Sequence, residues 1–210
     1  MAHSKTAKQL AIGLQLCTHI ACFVPLLWLF FAIPAGTLGG DPVKELIHFL
    51  GTGALRILLL CLAVSPLVKF LKQAPLMRLR RPLGLWAFIW ASLHIFAWLA
   101  FDLIYDWSLI IEEVTQRTYI VVGFVAWLLL LMLSISSIPK LLRGMGKQWT
   151  KLHGSIYLII LLVCLHFWWS VKSGWIEPSI YFSLAVLLLV LRKKKIITWI
   201  KSFKSNQTNT

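Results

Sequence analysis

Six apolar runs of helical length dominate the sequence and restrict the folds open to it. A bilayer core of about 30 Å needs roughly 20 apolar residues per helix, and a chain that crosses it must satisfy its own backbone hydrogen bonds. Hydrophobic residues make up 59% of the 210 residues, far more than in a soluble domain. The sequence therefore predicts an all-α membrane protein, a bundle of six transmembrane helices near residues 10–33, 46–66, 83–104, 118–138, 152–170 and 178–192.

The charged residues predict the orientation of this bundle. Seventeen of the 21 Lys and Arg residues lie before the first run, between the second and third, between the fourth and fifth, or at and after the last residue of the sixth. Loops rich in Lys and Arg stay in the cytoplasm, so both termini are predicted to be cytoplasmic, and the net charge of +14 needs no nucleic acid partner. All seven acidic residues lie in or beside the opposite loops: Asp41, Glu45, Asp102, Asp106, Glu112, Glu113 and Glu177.

These patterns divide the chain into three parts. Residues 1–9 form a cytoplasmic N-terminus, and residues 10–192 form the membrane domain. Residues 193–210 form a basic cytoplasmic tail, which is predicted to lie on the anionic lipids of the inner leaflet.

Two histidines lie at matched depth on the third and fifth predicted helices. At a rise of 1.5 Å per residue, His94 lies about 16 Å from the cytoplasmic end of its helix, and His166 lies about 20 Å beyond His153. An imidazole in hydrocarbon needs a partner and marks a functional site by default. Two neutral imidazoles on parallel helices of one bundle suit the axial ligation of a haem iron. The sequence therefore predicts a haem between the third and fifth helices.

Other partners for these histidines are open at this point. A histidine in a membrane helix can also bond a backbone carbonyl or a serine hydroxyl of a neighbouring helix. His153 lies near the cytoplasmic interface, beside Trp149 and Lys151, where a hydrated imidazole is equally expected. On an ideal helix, the side chains of His153 and His166 point about 140° apart, so both reach one seam only if the helix is distorted or their partners differ.

Three segments of the sequence resemble a known family: "DPVKELIHFLG", "RRPLGLWAFIWASLH" and "GKQWTKLHGSIYLIILLVCLHFWWSVK". They are similar to the MsrQ (YedZ) family, haem-binding membrane subunits of the periplasmic methionine sulfoxide reductase system, and the resemblance covers nearly the whole chain. More distantly, the chain resembles the ferric reductase transmembrane superfamily, whose third and fifth helices carry haem-ligating histidines. The resemblance implies that His94 and His166 are the axial pair and that His153 matches the inner histidine of the fifth helix.

The resemblance leaves the number of haems at one or two. Two-haem relatives place a second histidine earlier on the third helix, and fourteen residues before His94 this chain has Arg80. The implied cofactor is therefore one haem b, or two if an inner haem at His153 finds another ligand.

The resemblance also implies an electron-transfer activity in the bacterial inner membrane. Quinol electrons enter the subunit, pass through haem b and leave to a periplasmic molybdopterin partner, which carries the catalytic site for methionine sulfoxide in proteins. Ferric reductases take electrons from a flavin and nicotinamide domain fused after the last helix. This chain stops within twenty residues of that helix, so an external donor is expected. The family is also described as binding FMN, which makes FMN a further expected cofactor.

Several other residues are candidates for cofactor contacts. Arg56, near the middle of the second run, either faces the bundle and pairs with a haem propionate or a quinone oxygen, or snorkels toward water. Arg80 belongs to a basic cluster that could bind haem propionate, FMN phosphate or quinone, although a positive-inside anchor explains it without a ligand. Gly84, Gly123 and Gly154 either leave room beside a macrocycle or allow close helix packing.

Two alternative functions are a cytochrome b subunit that feeds a different periplasmic acceptor and a transporter or scaffold without a cofactor. A transporter is expected to contain broken helices in two related halves, and no internal repeat is visible in the sequence. The acidic residues after the third helix are predicted to form a docking surface for the periplasmic partner, or simply to follow from the topology. They are Asp102, Asp106, Glu112 and Glu113.

Overall fold

The computed structural model describes residues 2–172 and 174–204, and it contains no strand within those ranges. There, ten α-helices follow one another, with a 3-10 segment, Ala74–Leu79, before α3 and a π-helical segment, Trp98–Asp102, after it. The helices are α1 (Ala2–Ala32), α2 (Pro42–Leu71), α3 (Arg80–Ala97), α4 (Trp107–Gln116), α5 (Thr118–Ser136), α6 (Pro139–Met145), α7 (Lys147–His153), α8 (Ile156–Ser170), α9 (Ile176–Leu191) and α10 (Lys193–Lys204). The predicted all-α class is confirmed.

Five stretches of the described chain are long and apolar enough to cross a membrane, and they match the first five predicted runs. They are Gln9–Ala32, Pro42–Leu71, Ala74–Asp102, Thr118–Ser136 and Lys147–Ser170. The protein is therefore a multi-pass membrane protein. The sixth run forms α9, an apolar helix of only 16 residues, which spans about 24 Å at 1.5 Å per residue. A sixth crossing stays a prediction.

The chain divides into two compact units, Met1–Glu112 and Glu113–Thr210. In the first unit, α2 and α3 pack closely along their lengths. Tryptophans of α3 also bond to α1: the Trp90 indole N–H donates to the Cys22 carbonyl oxygen at 3.1 Å, and that of Trp86 donates to His19 Nδ1 at 2.9 Å. Indole N–H groups need such partners when they leave water. These bonds fix the rotation of α3 within this unit.

Local sequence signals set the ends of α2. Pro42 occupies the first position of the helix, and the carboxylate of Asp41 accepts a hydrogen bond from the Lys44 N–H at 3.2 Å, as in an N-cap. At the other end, Lys72 adopts a left-handed conformation with φ of 54°, which stops the helix. The N-terminal third of α2 carries the groups that matter for the candidate site.

In the second unit, α5 packs closely against α8. A turn at residues 154–155 separates α7 from α8, so the fifth predicted helix is not continuous. The predicted basic tail forms α10 as far as Lys204, and its last residues, 205–210, lie outside the described residues. Trp199 of α10 donates its indole N–H to the Lys151 carbonyl oxygen at 2.7 Å, which ties the tail to α7.

Candidate functional site

His94 is held by a backbone carbonyl of the neighbouring helix. It lies three residues before the end of α3, and its Nδ1 is 2.9 Å from the carbonyl oxygen of Ile47 on α2. A carbonyl oxygen can only accept, so Nδ1 carries the proton and donates it. In the neutral imidazole, Nε2 then carries the lone pair. The bond to Ile47 therefore selects the tautomer in which Nε2, and not Nδ1, could serve as a metal ligand.

Gly51 allows the imidazole to lie this close to α2. It comes one helical turn after Ile47, and a Cβ at this position would lie 3.0 Å from both Cε1 and Nδ1 of His94. That distance is well inside the optimal separation of about 3.5–4.0 Å between non-bonded carbon atoms. The ring thus packs against bare backbone beside the carbonyl that it bonds.

His166 has the same arrangement within the second unit. Its Nδ1 is 2.7 Å from the carbonyl oxygen of Tyr119 on α5. The centroids of the His166 imidazole and the Tyr119 phenol ring lie 5.7 Å apart. Gly123 comes one turn after Tyr119, and the contact is tighter than in the first unit, because a Cβ at Gly123 would lie 2.5 Å from Nδ1 of His166. The donated Nδ1–H again leaves the lone pair on Nε2.

The carbonyl, the glycine and the histidine of the first unit each lie 72 residues before their counterparts in the second unit. Positions 47, 51 and 94 correspond to positions 119, 123 and 166. In each unit the histidine follows its carbonyl partner by 47 residues. No repeat is visible in the sequence, because few residue types coincide at this spacing. The structure corrects that expectation: a geometric repeat is present, and it centres on the two histidines.

The donor chemistry of both histidines suits a haem ligand. A ligating histidine binds iron through one ring nitrogen, while the other donates to a carbonyl or carboxylate that fixes the orientation of the ring. His94 and His166 each have the second bond in place, and both are only partly buried. The alternative expectation, a bond to a neighbouring helix's carbonyl, is confirmed for Nδ1 of both rings.

His153 is held in a different way. It ends α7, its Nε2 lies 3.0 Å from the Ser136 hydroxyl oxygen, and its ring stacks on Trp149 with centroids 3.9 Å apart. The Trp149 indole N–H donates to the Ser136 carbonyl oxygen at 3.2 Å. His153 and His166 therefore bond opposite ends of α5. On one ideal helix the side chains of His153 and His166 would point about 140° apart. Here the helix is interrupted at residues 154–155, and the two histidines also have different partners.

The two arginines predicted as cofactor contacts lie on α2 and α3. Arg56 is exposed, which agrees with snorkelling as well as with contact to a cofactor. Arg80 is the first residue of α3 and partly buried, and its carbonyl oxygen accepts a bond from the Cys61 thiol at 3.4 Å. Their roles toward a cofactor stay predictions.

Close packing applies to two of the three glycines singled out in the sequence. Gly123 faces the ring of His166, and Gly154 faces the indole of Trp199, which a Cβ at Gly154 would overlap. A Cβ at Gly84 would meet nothing within 4 Å. Gly51, which sequence reasoning did not single out, belongs with the first two.

Two of the four acidic residues predicted as a docking surface have local structural roles in α4. The Asp106 carboxylate accepts bonds from the Ser108 hydroxyl at 2.7 Å and the Ser108 N–H at 2.8 Å, and these bonds lower the pKa of Asp106. Glu113 pairs with Arg117 at 2.8 Å. Asp106 therefore caps the N-terminus of α4. The cap weakens when the pH falls through the lowered pKa of Asp106, because protonation removes the negative charge that accepts these bonds.

Comparison with known proteins places the chain in a wider group. Residues 50–164 match the family described as "Ferric reductase like transmembrane component", a range that contains His94 and ends two residues before His166. The chain is 45% identical over 195 residues to the "Protein-methionine-sulfoxide reductase heme-binding subunit MsrQ" of Salmonella paratyphi B, which covers 92% of this chain and 98% of that relative. Proteins of the same name from Salmonella heidelberg and Salmonella agona match equally well.

Proposed function

The chain belongs to the MsrQ family of heme-binding membrane subunits, and on this premise we propose that it carries electrons through a haem b whose axial ligands are His94 and His166. Quinol in the bacterial inner membrane supplies the electrons. A periplasmic molybdopterin methionine sulfoxide reductase receives them and repairs oxidised proteins. FMN, expected from the resemblance, stays a prediction.

The observation that carries this proposal is the repeated setting of the two imidazoles. Each ring donates Nδ1–H to a helix carbonyl and lies against a glycine, so each is fixed in position and in tautomer. Bound haem supplies a one-electron iron couple. The role of the chain is to hold two neutral nitrogen ligands rigidly, which limits reorganisation when the charge of the site changes.

The charge distribution supports the direction of transfer. Basic residues in the loops predicted as cytoplasmic orient the chain, and the acidic residues collect in the loops predicted to face the periplasm. The π-helical segment Trp98–Asp102 follows the helix of His94, and such segments occur often at functional sites. Electrons therefore leave near the loop that follows α3.

Quinol reduction of haem in membranes tests the proposed pathway. Membranes containing the full chain are mixed with a reduced quinone analogue, and the haem absorbance is followed with and without the periplasmic reductase and methionine sulfoxide. We expect reduction of the haem by quinol and reoxidation when the reductase turns over. Haem that dithionite reduces but quinol does not would exclude quinol as the donor. Reduction without reoxidation would point to a different periplasmic acceptor.

A transporter or scaffold without a cofactor is the remaining alternative. Transporter repeats place broken helices near the middle of the membrane. Here the repeated element is an imidazole on a helix that is continuous around it, since α3 covers Arg80–Ala97 and α8 covers Ile156–Ser170. Purified protein without a Soret band, even after haem supplementation, would favour this alternative.

Replacing His153 with Ala is expected to leave the haem spectrum nearly unchanged. His153 is hydrogen-bonded to Ser136 and stacked on Trp149, so its loss disturbs the end of α5 but removes no ligand from the pair on α3 and α8. Haem per chain, measured by the pyridine haemochrome assay, checks this, with Ser136→Ala as the matched control for the lost hydrogen bond. Loss of about half of the haem in the His153 variant alone would reveal a second, inner haem.

Neutralising Asp102 and Glu112 together, as Asn and Gln, is expected to slow electron transfer to the periplasmic reductase. Both are exposed, and Asp106 and Glu113 are kept because they stabilise α4. Charge steering raises encounter rates roughly tenfold or more at low salt, so stopped-flow transfer rates should fall and their salt dependence should weaken. The control is Glu177→Gln. If the electron-transfer rate were unchanged in the double variant but lower in Glu177→Gln, the docking surface would instead be the loop before α9.

A further inference from the structure

Arg192 is a buried cation in the second unit. It lies between α9 and α10 with only 7% of its surface exposed, and its Nε and Nη2 have no hydrogen-bond partner among the described residues. Its guanidinium carbon lies 6.0 Å from the centroid of the Tyr157 ring. That contact offsets part of the cost of burial but satisfies neither N–H group. A guanidinium in these surroundings requires an anion.

No acidic side chain of this unit is placed to supply that anion. Glu113 is paired with Arg117 at 2.8 Å, and Glu177 lies at the other end of α9, about 22 Å away along the helix. The residues that follow Arg192 are basic, Lys193–Lys195. The other five acidic residues of the chain belong to loops predicted on the opposite side of the membrane. Among the described residues, no acidic side chain therefore supplies the counter-charge.

The surroundings of Arg192 have the character of a membrane interface. Trp199 of α10 packs edge-on against Tyr157, with centroids 5.9 Å apart. Helix α10 is amphipathic, basic and without acidic residues, as in helices that lie on anionic lipid.

We propose that Arg192 binds a phosphate group, that of an anionic phospholipid of the cytoplasmic leaflet. The two unsatisfied atoms, Nε and Nη2, lie on one edge of the guanidinium and form the fork that matches two oxygens of a phosphate. Phosphatidylglycerol carries such a group at the depth where α9 ends and α10 begins. The lipid joins the ends of these helices to α8 through Tyr157, and this role is independent of the haem.

Native mass spectrometry of the full-length protein tests this site. Delipidated wild type and Arg192→Gln are titrated with phosphatidylglycerol or phosphatidylcholine in detergent, and the bound lipid is counted. Because a charged, bidentate hydrogen bond is lost, we expect phosphatidylglycerol to bind the variant roughly tenfold or more weakly. The control Lys193→Gln removes an exposed charge one residue away and should change the affinity by about twofold at most.

Two further arms separate the possible ligands and guard against misfolding. Displacement of the lipid by sn-glycerol 3-phosphate would also support a phosphate site and would assign it to soluble phosphate esters. If Arg192→Gln does not fold, Arg192→Lys keeps the charge and loses the fork, and it should still bind the lipid several-fold more weakly. Equal binding of phosphatidylglycerol by wild type and a folded variant would overturn the proposal. The proposal would also be overturned if the wild type bound phosphatidylcholine as tightly as phosphatidylglycerol. Loss of haem from Arg192→Gln with unchanged lipid binding would overturn it as well.

Discussion

Replacing either His94 or His166 with Ala is expected to abolish the same low-spin haem signal. A six-coordinate haem needs both axial nitrogens, so each single variant should lose the signal as completely as the double variant does. The measurement is the absorption and electron paramagnetic resonance spectrum of the purified full chain, together with haem per chain. A Gly variant at either position, supplied with free imidazole, should recover part of the signal.

The matched control for these variants is His48→Ala. His48 is exposed on α2 and is the residue after Ile47, whose carbonyl holds His94. Its loss should leave the haem spectrum unchanged. An unchanged spectrum in either the His94 or the His166 variant would show that the two histidines do not share an iron.

Gly123→Ala is expected to weaken haem binding more than Gly51→Ala does. The new Cβ would lie 2.5 Å from Nδ1 of His166 in the first case and 3.0 Å from the ring of His94 in the second. The His166 ring can yield only by stretching its 2.7 Å bond to the Tyr119 carbonyl. Overpacking of this kind costs about 1–3 kcal/mol, which corresponds to roughly 5- to 150-fold in affinity. Haem titration of the apoprotein measures the difference.

The reduction potential gives a second readout for the glycine variants. A stretched Nδ1–H bond makes the imidazole a weaker donor to iron, which favours the reduced state, so the potential of any haem retained should rise. The control is Gly84→Ala on α3, where the added Cβ would meet nothing within 4 Å and should change neither affinity nor potential. Equal losses in all three variants would mean that helix disruption, and not the imidazole contact, causes the effect.

The sequence predicts those parts of the molecule that depend on composition and depth. Apolar length predicts six runs, and the first five match stretches long and apolar enough to cross a membrane, whereas the sixth forms α9, a helix of 16 residues. His94 and His166 are identified because ionisable residues are rare in hydrocarbon and these two lie at similar depths. Both arguments use only position along a helix, which a sequence contains directly.

The hydrogen-bond partners of these histidines could not be predicted, because they depend on how each helix is positioned along and around its neighbour. Every residue has a carbonyl, so nothing in the sequence distinguishes the carbonyls of Ile47 and Tyr119 from their neighbours. Gly123 was a candidate for close packing, whereas Gly51 was missed, although both lie against a histidine. The sequence does contain a signal for Gly51, because Gly51 precedes His94 by the same number of residues as Gly123 precedes His166.

The acidic loop shows the opposite case, in which a signal was present and not used. Asp106 stands directly before Trp107, the first residue of α4, and its carboxylate caps the helix. An acceptor residue followed by an amphipathic stretch predicts a helix start. Grouping these residues by charge alone does not reveal the structural roles of Asp106 and Glu113, and the docking surface stays a prediction.

The axial ligation of the haem in the wild-type protein tests the central claim most directly. Near-infrared magnetic circular dichroism of the oxidised, purified full chain distinguishes two imidazole ligands from an imidazole paired with a thioether, a hydroxide or water. We predict that the haem iron is low-spin and bound by two imidazoles, and that this signal is absent from both the His94→Ala and the His166→Ala proteins. A high-spin haem, an imidazole–thioether signature, or a bis-imidazole signal that persists in either variant would contradict the assignment of His94 and His166 as an axial pair.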